Sequence, residues 1–191
     1  MAETYLTDLT FDKSDFTVDT LEKGEYENCV FSNCNFANSN LSEFKFIDCT
    51  FRNCDLSLVK LNKTTLQDIQ FENCKMLGMR FDTCNPFGLA LLFEGCQLNH
   101  SSFYKLKIAK TRFLNTQLVE CDFTESDLTG SIFTGCNLSQ AVFDHSNLQK
   151  ADFRTAVNFS IDPESNQLKK AKFSLVSVSG LLDKYDIEID V

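Results

Sequence analysis

The sequence lacks the residue patterns on which most enzyme active sites are built. It has only two histidines, His100 and His145, and both fall at positions that we expect on the outer surface. No Ser-His-Asp arrangement, glycine-rich phosphate loop or paired-carboxylate motif can be recognised. These absences predict a protein that is not an enzyme and that uses neither a cofactor nor a metal ion.

Long apolar runs and an excess of basic residues are also missing. No stretch approaches the ~20 apolar residues of a membrane-spanning helix, and the opening Met-Ala-Glu-Thr does not begin a signal peptide. Acidic residues outnumber basic ones by 27 to 18, which gives a formal charge of −9. That charge opposes direct binding to nucleic-acid phosphates and suits a basic partner. We therefore expect a cytoplasmic protein that contacts neither membrane nor nucleic acid.

Phenylalanine, in contrast, is abundant and strictly spaced. Every fifth residue is apolar from residue 6 to 81 and again from 93 to 153. One column of phenylalanines recurs every twenty residues, except for a single step of 22 between its fourth and fifth members. Its members are Phe11, Phe31, Phe51, Phe71, Phe93, Phe113, Phe133 and Phe153. Because they are large and regularly spaced, we expect them to form the structural core.

A period of five fits neither the helix repeat of 3.6 nor the strand repeat of 2. It divides a twenty-residue turn into four sides, each with one large inward residue, which predicts a coiled β-solenoid. Turns stacked at the strand spacing of ~4.8 Å give a rod about 36 Å long from about seven and a half turns.

The residue two before each large one is usually small, and all nine cysteines fall in this class of position. Cys34, Cys54, Cys74 and Cys96 share one vertical column. Cysteine can serve there as a small apolar filler. No CxxC pair occurs, and a spacing of five is wider than that of zinc knuckles. We predict buried free thiols rather than a metal site or disulfides.

The two extra residues lie between Phe81 and Phe93. The segment Asn85, Pro86, Phe87 and Gly88 carries the proline and glycine that mark a break in a regular ladder. One interpretation is a tolerated bulge. The other is a small contact loop with Phe87 exposed or half-exposed.

The chain is expected to divide into a solenoid over residues 1–159 and a different C-terminal element over 160–191. Ser174 resembles a helix N-cap, a short helix should follow, and the last residues alternate as in a strand. This element would cover the last coil, form a dimer contact, or do both. The expected dimer residues are Leu175, Val178, Leu181, Leu182, Tyr185, Ile187 and Ile189.

Charge is unevenly distributed along the rod. Residues 113–148 contain no Lys or Arg, whereas basic residues outnumber acids in the middle of the chain. The acids of that stretch form a candidate partner-binding surface: Glu120, Asp122, Glu125, Asp127 and Asp144. Ordinary solvation of a solenoid surface is the alternative.

Units such as Ser126-Asp127-Leu128-Thr129-Gly130 and Ala151-Asp152-Phe153-Arg154-Thr155 resemble the pentapeptide repeat family, whose usual unit is A(D/N)LXX. The resemblance covers about residues 4–157. It implies a right-handed quadrilateral β-helix.

Three C-terminal segments, 162–164, 170–175 and 181–189, are similar to the tail of the subgroup that protects type II topoisomerases. That subgroup includes quinolone-resistance, albicidin-resistance and microcin B17 immunity proteins. Residues 74–78 also resemble the mid-rod segment of the albicidin-resistance protein. Several quinolone-protecting members carry longer loops than the two inserted residues found here.

The resemblance implies a homodimer formed through the tail. It also implies an acidic rod that imitates duplex DNA, engages DNA gyrase or topoisomerase IV, and counters a topoisomerase poison. A scaffolding rod that binds an unrelated protein partner is the rival hypothesis.

Overall fold

The computed structural model describes residues 4–188, which wind into an all-β, right-handed quadrilateral β-helix with about seven turns. Each coil has four sides of five residues and takes twenty residues, except the coil of 22 that carries the insertion. Within the described residues there are eleven short strands, all paired in parallel. They are Thr4–Thr7 (β1), Thr10–Asp12 (β2), Gly24–Glu27 (β3), Val30–Ser32 (β4), Lys45–Ile47 (β5), Thr50–Arg52 (β6), Thr65–Gln67 (β7), Ile69–Glu72 (β8), Leu91–Glu94 (β9), Arg112–Leu114 (β10) and Ile132–Thr134 (β11).

The four sides form four faces along the rod. Face 1 carries the sheet β1-β3-β5-β7, and face 2 carries the sheet β2-β4-β6-β8-β9-β10-β11. Faces 3 and 4 are joined by columns of isolated parallel bridges, such as Asp55 to Lys75 on face 3 and Ser102 to Asp122 on face 4. The register is +20 where Phe51 pairs with Phe71 and +22 where Phe71 pairs with Phe93. The fold predicted from the five-residue period is confirmed.

The interior is filled by stacked aromatic rings. On face 2, successive phenylalanines from Phe11 to Phe173 stack with ring centroids 4.6–5.4 Å apart. On face 4, the rings from Phe81 to Phe143 stack at 4.8–5.0 Å. The two stacks meet edge to face, as where Phe113 and Phe123 lie 6.0 Å apart at 81°. Both geometries are favoured by the charge distribution of aromatic rings.

The small inward residues do more than fill space. Most of the buried thiols and several of the buried hydroxyls donate to a backbone carbonyl of the coil below. Cys54 Sγ donates to Phe31 O at 3.3 Å, and Ser146 Oγ donates to Phe123 O at 2.8 Å. A small side chain with a donor group therefore gives a buried backbone carbonyl a hydrogen bond, and that carbonyl would be costly to leave unpaired.

Corners between faces lie in the left-handed region, usually two residues after the large inward residue. Asn and Asp occupy many of these corners because they tolerate this conformation better than other non-glycine residues. Gly135, with φ 65°, occupies one of these corners, and a Cβ on it would lie 2.4 Å from Asn115 Oδ1. The chain thus turns with only seven glycines.

The insertion explains why the sheet on face 1 ends at β7. Asn85 still lies over Thr65, because its N–H donates to Thr64 O at 2.9 Å. The ladder resumes only at Ala90, whose N–H donates to Leu66 O at 3.2 Å. Leu89 packs against the core between them, whereas Pro86, at the regular five-residue step, is exposed.

The ladder continues beyond residue 160. Lys172 bridges to Asp152, and Phe173 stacks on Phe153. The short helix expected after Ser174 is reduced to two 3₁₀ turns, Val178–Leu181 and Asp183–Tyr185. Ile187 lies in no strand, and Ile189 lies outside the described residues.

A close backbone contact explains why no longer helix forms. Gly180 lies so near Phe159 that a Cβ on it would be 2.1 Å from Phe159 O, and its own carbonyl accepts from Ile161 N at 2.9 Å. This contact holds the segment against the last coil in an irregular path.

Candidate interaction surfaces

The inward side chains are packed and buried, so the candidate functional residues lie on the outer surface. All nine cysteines are buried and free. Burial raises the pKa of Cys84 and of Cys121 to about 12, so these thiols stay protonated at neutral pH. In the part of the chain that the structure describes, no group of three or more His, Cys, Asp or Glu side chains could hold a metal ion.

Four of the five candidate acids gather around face 4. Asp122 lies in its bridge column between Ser102 and Val142. Glu120 and Glu125 occupy the corners on either side, both with positive φ. Asp144 follows on the next coil, where its carbonyl accepts from Glu125 N at 2.8 Å. We call Glu120, Asp122, Glu125 and Asp144 the acidic face.

Three of these acids have a basic or imidazole neighbour. Lys105 Nζ lies 3.4 Å from Glu125 Oε1, and His100 Nδ1 lies 3.2 Å from Glu120 Oε2. His145 Nδ1 lies 2.9 Å from Asp144 Oδ1. The two histidines, which had no role in the sequence analysis, thus border the acidic face.

Asp122 also has a structural role, since its Oδ1 accepts from Thr124 N at 2.9 Å. This bond closes a local turn of the kind that favours Asp and Asn.

Asp127 lies apart from the other acids, on face 1, in a bridge column between Lys107 and Asn147. Its Oδ1 accepts from both the N–H and the hydroxyl of Thr129, at 3.0 and 2.6 Å. Its carboxylate is therefore partly engaged in its own turn. The sequence placed Asp127 with the other acids because it is near them along the chain, but the coil turns a corner between them.

The insertion presents Phe87 to solvent, with 79% of its surface exposed. Its N–H donates to Asn85 Oδ1 at 3.1 Å, and Asn85 Nδ2 donates to Thr65 Oγ1 at 3.1 Å. Gly88 takes φ 69°, a left-handed conformation that favours glycine, and a Cβ there would lie 2.3 Å from Gln67 Nε2. The insertion is thus a short, hydrogen-bonded turn that projects one aromatic ring.

The C-terminal element exposes apolar side chains at the end of the rod. Leu175 and Val176 are 91% and 94% exposed, and Tyr185 and Ile187 are more than half exposed. Val178 is at the edge of exposure, whereas Leu181 and Leu182 are partly buried, with Leu181 packed on the core. The expected dimer residues therefore do not share one helical face. Val176, which the helical pattern omitted, is the most exposed of the group.

A charge cluster fastens this element to the last coil. Lys184 Nζ lies 2.7 Å from both Asp162 Oδ1 and Glu164 Oε2, and the Tyr185 hydroxyl donates to Glu164 Oε1 at 3.0 Å. Hydrogen bonds from Lys184 lower the pKa of both carboxyls. We call these residues the Lys184 cluster. No spacing rule in the sequence identified it, because its members lie about twenty residues apart in an irregular region.

Among residues 4–188, the structure contains no helix with the length and apolar character that crossing a bilayer requires.

Comparisons with known proteins agree with this architecture. The family described as Pentapeptide repeat region matches residues 24–103 and 45–123, and Pentapeptide repeats (8 copies) matches residues 121–157. Two trypsin-treated forms of QnrB1, a plasmid-mediated fluoroquinolone resistance protein, have a similar fold. One has a TM-score of 0.58 at 17% identity and covers 98% of this chain and 100% of its own. The other has a TM-score of 0.60 at 18% identity and covers 96% and 99%.

No curated protein sequence matches the chain significantly. The family matches together span residues 24–157, which is most of the solenoid. The chain therefore belongs to the pentapeptide repeat family.

Proposed function

We propose that this protein is a homodimeric binding protein that engages DNA gyrase or topoisomerase IV and protects it from a topoisomerase poison. The observation that carries the proposal is the acidic face on a rod whose fold is similar to that of a fluoroquinolone resistance protein. Catalysis has no part in it, because the interior is packed and the working groups are surface carboxylates.

Charge spacing supports DNA mimicry. Glu120, Asp122 and Glu125 lie on one coil and Asp144 on the next, and Asp162 and Glu164 follow on a third. Six carboxylates over three coils, each ~4.8 Å high, amount to about one negative charge per 2.4 Å along the rod axis. Duplex DNA carries one charge per ~1.7 Å. Lys105 pairs with Glu125, and Lys184 pairs with both Asp162 and Glu164, so the likeness is strongest at Glu120, Asp122 and Asp144.

The exposed apolar end supports dimer formation. Leu175 and Val176 lie almost fully in solvent, which is unusual for adjacent large aliphatic residues. A second copy placed on the same end would bury them and double the length of the rod, with two-fold symmetry as the default. Leu175→Glu with Val176→Glu should convert the dimer to a monomer in sedimentation velocity, and Val142→Glu, an exposed site on the side of the rod, should not.

The functional test is a supercoiling assay with purified gyrase, with and without a quinolone or albicidin. The protein should inhibit supercoiling alone and restore it in the presence of the drug. A parallel decatenation assay with topoisomerase IV tests the second enzyme. No inhibition and no rescue with either enzyme, over a wide concentration range, would refute the proposal.

The triple variant Glu120→Lys, Glu125→Lys and Asp144→Lys should abolish both effects, because it reverses the charge of the acidic face. The fold should stay intact, because these side chains pair with other surface side chains, His100, Lys105 and His145. Asp122 is left in place because it holds its own turn. The matched control is Asp48→Lys, Asp68→Lys and Glu94→Lys, which makes the same charge change at exposed sites on other faces. Equal loss in the control would show that net charge, rather than the acidic face, determines the effect.

A scaffolding rod with an unrelated protein partner is the second candidate. The observation that favours it is the basic C-terminal part of face 1, which a uniform DNA mimic would not need. Affinity capture from cell extract that recovers another protein and no topoisomerase would support this alternative.

A further inference from the structure

Face 1 changes sign along the rod. Its N-terminal part is acidic, with Glu25, Glu27, Asp48 and Asp68, whereas its C-terminal part is basic. The basic part consists of Lys107, Lys110, Lys150, Lys169 and Lys170, which we call the basic stripe. All five are exposed, and within residues 4–188 none of them forms an ion pair.

Most ion pairs of the solenoid join side chains about twenty residues apart on adjacent coils. Within residues 4–188 no lysine of the basic stripe forms such a pair, although Asp127 lies twenty residues after Lys107 in the same bridge column. Elsewhere a cation commonly meets an acid twenty residues away on the next coil, as in Arg52 with Glu72 at 2.7 Å and Lys75 with Asp55 at 3.0 Å. In the stripe, Lys150 N donates to Lys169 O at 3.0 Å, so like charges lie on adjacent coils. Like charges on neighbouring strands are unfavourable unless something compensates them.

Phe87 stands at one end of the basic stripe. Arg80 bridges to Ser102 on face 4, and Leu92 pairs with Arg112 on face 2. Residues 84–90 and 106–110 therefore form face 1 of two consecutive coils, which puts Phe87 one coil from Lys107. The hydrogen-bonded turn fixes the exposed ring before any partner arrives, which lowers the entropy cost of using it as an anchor.

We propose that face 1, from Phe87 to Lys170, binds an extended acidic peptide segment of another protein, with an apolar side chain of that segment against Phe87. Five coils at ~4.8 Å span about 19 Å, which an extended chain of about six residues covers. A row of lysines with one aromatic anchor at its end matches carboxylates followed by one large apolar residue.

The dimensions of the stripe favour a peptide over nucleic acid. The stripe is one side of a coil wide, Asp127 lies within it, and the adjoining face carries Asp122 and Glu125. A duplex is wider than this and would bring phosphates over those carboxylates. A narrow extended chain can stay on the lysines. The proposal concerns a different face from the acidic face and does not depend on gyrase binding.

Fluorescence anisotropy tests the proposal with the full chain and a fluorescein-labelled, glutamate-rich peptide ending in one leucine. Binding should weaken as salt rises, since exposed charges contribute most of the attraction. The triple variant Lys107→Gln, Lys150→Gln and Lys170→Gln should raise Kd by about tenfold or more. The matched control Lys13→Gln, Lys60→Gln and Lys63→Gln, which are exposed lysines off the stripe, should change Kd by less than about twofold.

Phe87→Ser tests the anchor separately. It should weaken binding of the leucine peptide and leave unchanged the binding of a peptide with serine in place of leucine. Unchanged circular dichroism of each variant confirms that the coil is intact.

Four results would overturn the proposal. They are no binding of the peptide at low salt, equal weakening by both lysine triples, tighter binding of oligothymidylate or duplex DNA than of the peptide, and salt-sensitive self-association that the stripe triple abolishes. The last would identify a second copy's acidic face as the occupant.

Discussion

Phe173 stacks on Phe153 with ring centroids 5.4 Å apart and only 3° between the ring planes. It is the ninth ring of the face 2 column, and it lies twenty residues after the eighth. Phe159 contacts both rings at a tilt, 5.8 Å from Phe153 and 5.5 Å from Phe173. The hydrophobic column therefore closes at its C-terminal end on a coil whose sequence no longer repeats regularly.

Truncation of a ring in the middle of the column should be severe. Phe113→Ala removes a fully buried ring stacked on both sides. We expect a loss of about 3–5 kcal/mol in the free energy of unfolding, because the surrounding rings cannot collapse into the space. Urea denaturation measures it. Phe87→Ala is the control and should change stability by less than about 0.5 kcal/mol; a similar loss in both would contradict this account of the core.

The thiols should be unreactive in the folded protein. Burial raises the pKa of Cys136 to about 11 and that of Cys84 to about 12, and the thiolate is the reactive form. At pH 8 a disulfide reagent such as DTNB should label native protein very slowly and all nine cysteines in denaturant. Rapid native labelling of several thiols would show that the interior is open to solvent.

The Lys184 cluster should give a pH-dependent contact. The folded pKa of Asp162 and of Glu164 is depressed by Lys184, so their stabilising contribution is complete above the unfolded values of about 3.9 and 4.3. This stabilising contribution is lost as the pH falls through the lowered pKa values that the two carboxyls have in the folded state. The raised pKa of Lys184 keeps the contact intact until strongly alkaline pH.

NMR titration of the carboxyl carbons tests this prediction. Asp162 should titrate below its ordinary range, and Lys184→Met should raise its pKa towards that range, because the hydrogen bond from Glu164 N–H to Asp162 remains. Lys172→Met, a change at another lysine near the last coil, is the control and should leave Asp162 unaffected. Identical midpoints in the wild type and in Lys184→Met would contradict the cluster.

Gly180→Ala should detach the C-terminal element without unfolding the solenoid. The new Cβ would lie 2.1 Å from Phe159 O, which is backbone and cannot move aside cheaply. We expect faster hydrogen exchange at Ile161 N–H, which donates to Gly180 O, with the core amides unchanged. Ser179→Ala, next to it and exposed, should leave that exchange rate unchanged. Equal exchange rates at Ile161 in wild type and Gly180→Ala would refute the close contact.

The fold was predictable because the inward pattern is simple. One large residue every five, repeated every twenty, determines which side chains point inside, and the Phe71 to Phe93 step already showed where the register shifts. Phe173 could have been found by adding twenty to Phe153. The five-residue pattern breaks before that point, because the intervening large position holds Asn158 and the buried ring is Phe159 instead.

The C-terminal element and the surface were harder to predict. Apolar spacing favoured a helix from Leu175 to Tyr185, but the contact of Gly180 with Phe159 and the ion pairs of Lys184 determine the path, and both are tertiary. Closeness along the chain is also a poor guide to which surface charges lie together, because residues five apart lie on different faces. Asp122 and Asp127 are close in sequence yet face different directions.

The insertion at Asn85 to Gly88 determines where this molecule could change length. Each coil contacts chiefly the coils next to it. On the C-terminal side of the insertion, a deletion of residues 114–133 would join Phe113 to Thr134, as Phe133 is joined to it now. The rod would become one coil shorter, a loss of about 4.8 Å. A deletion that removes the coil with the insertion must take out 22 residues. A deletion of twenty residues there would shift the register and bring polar side chains inside. Duplications that keep the coil period should therefore lengthen the rod by whole coils, whereas those that break it would place polar side chains in the interior.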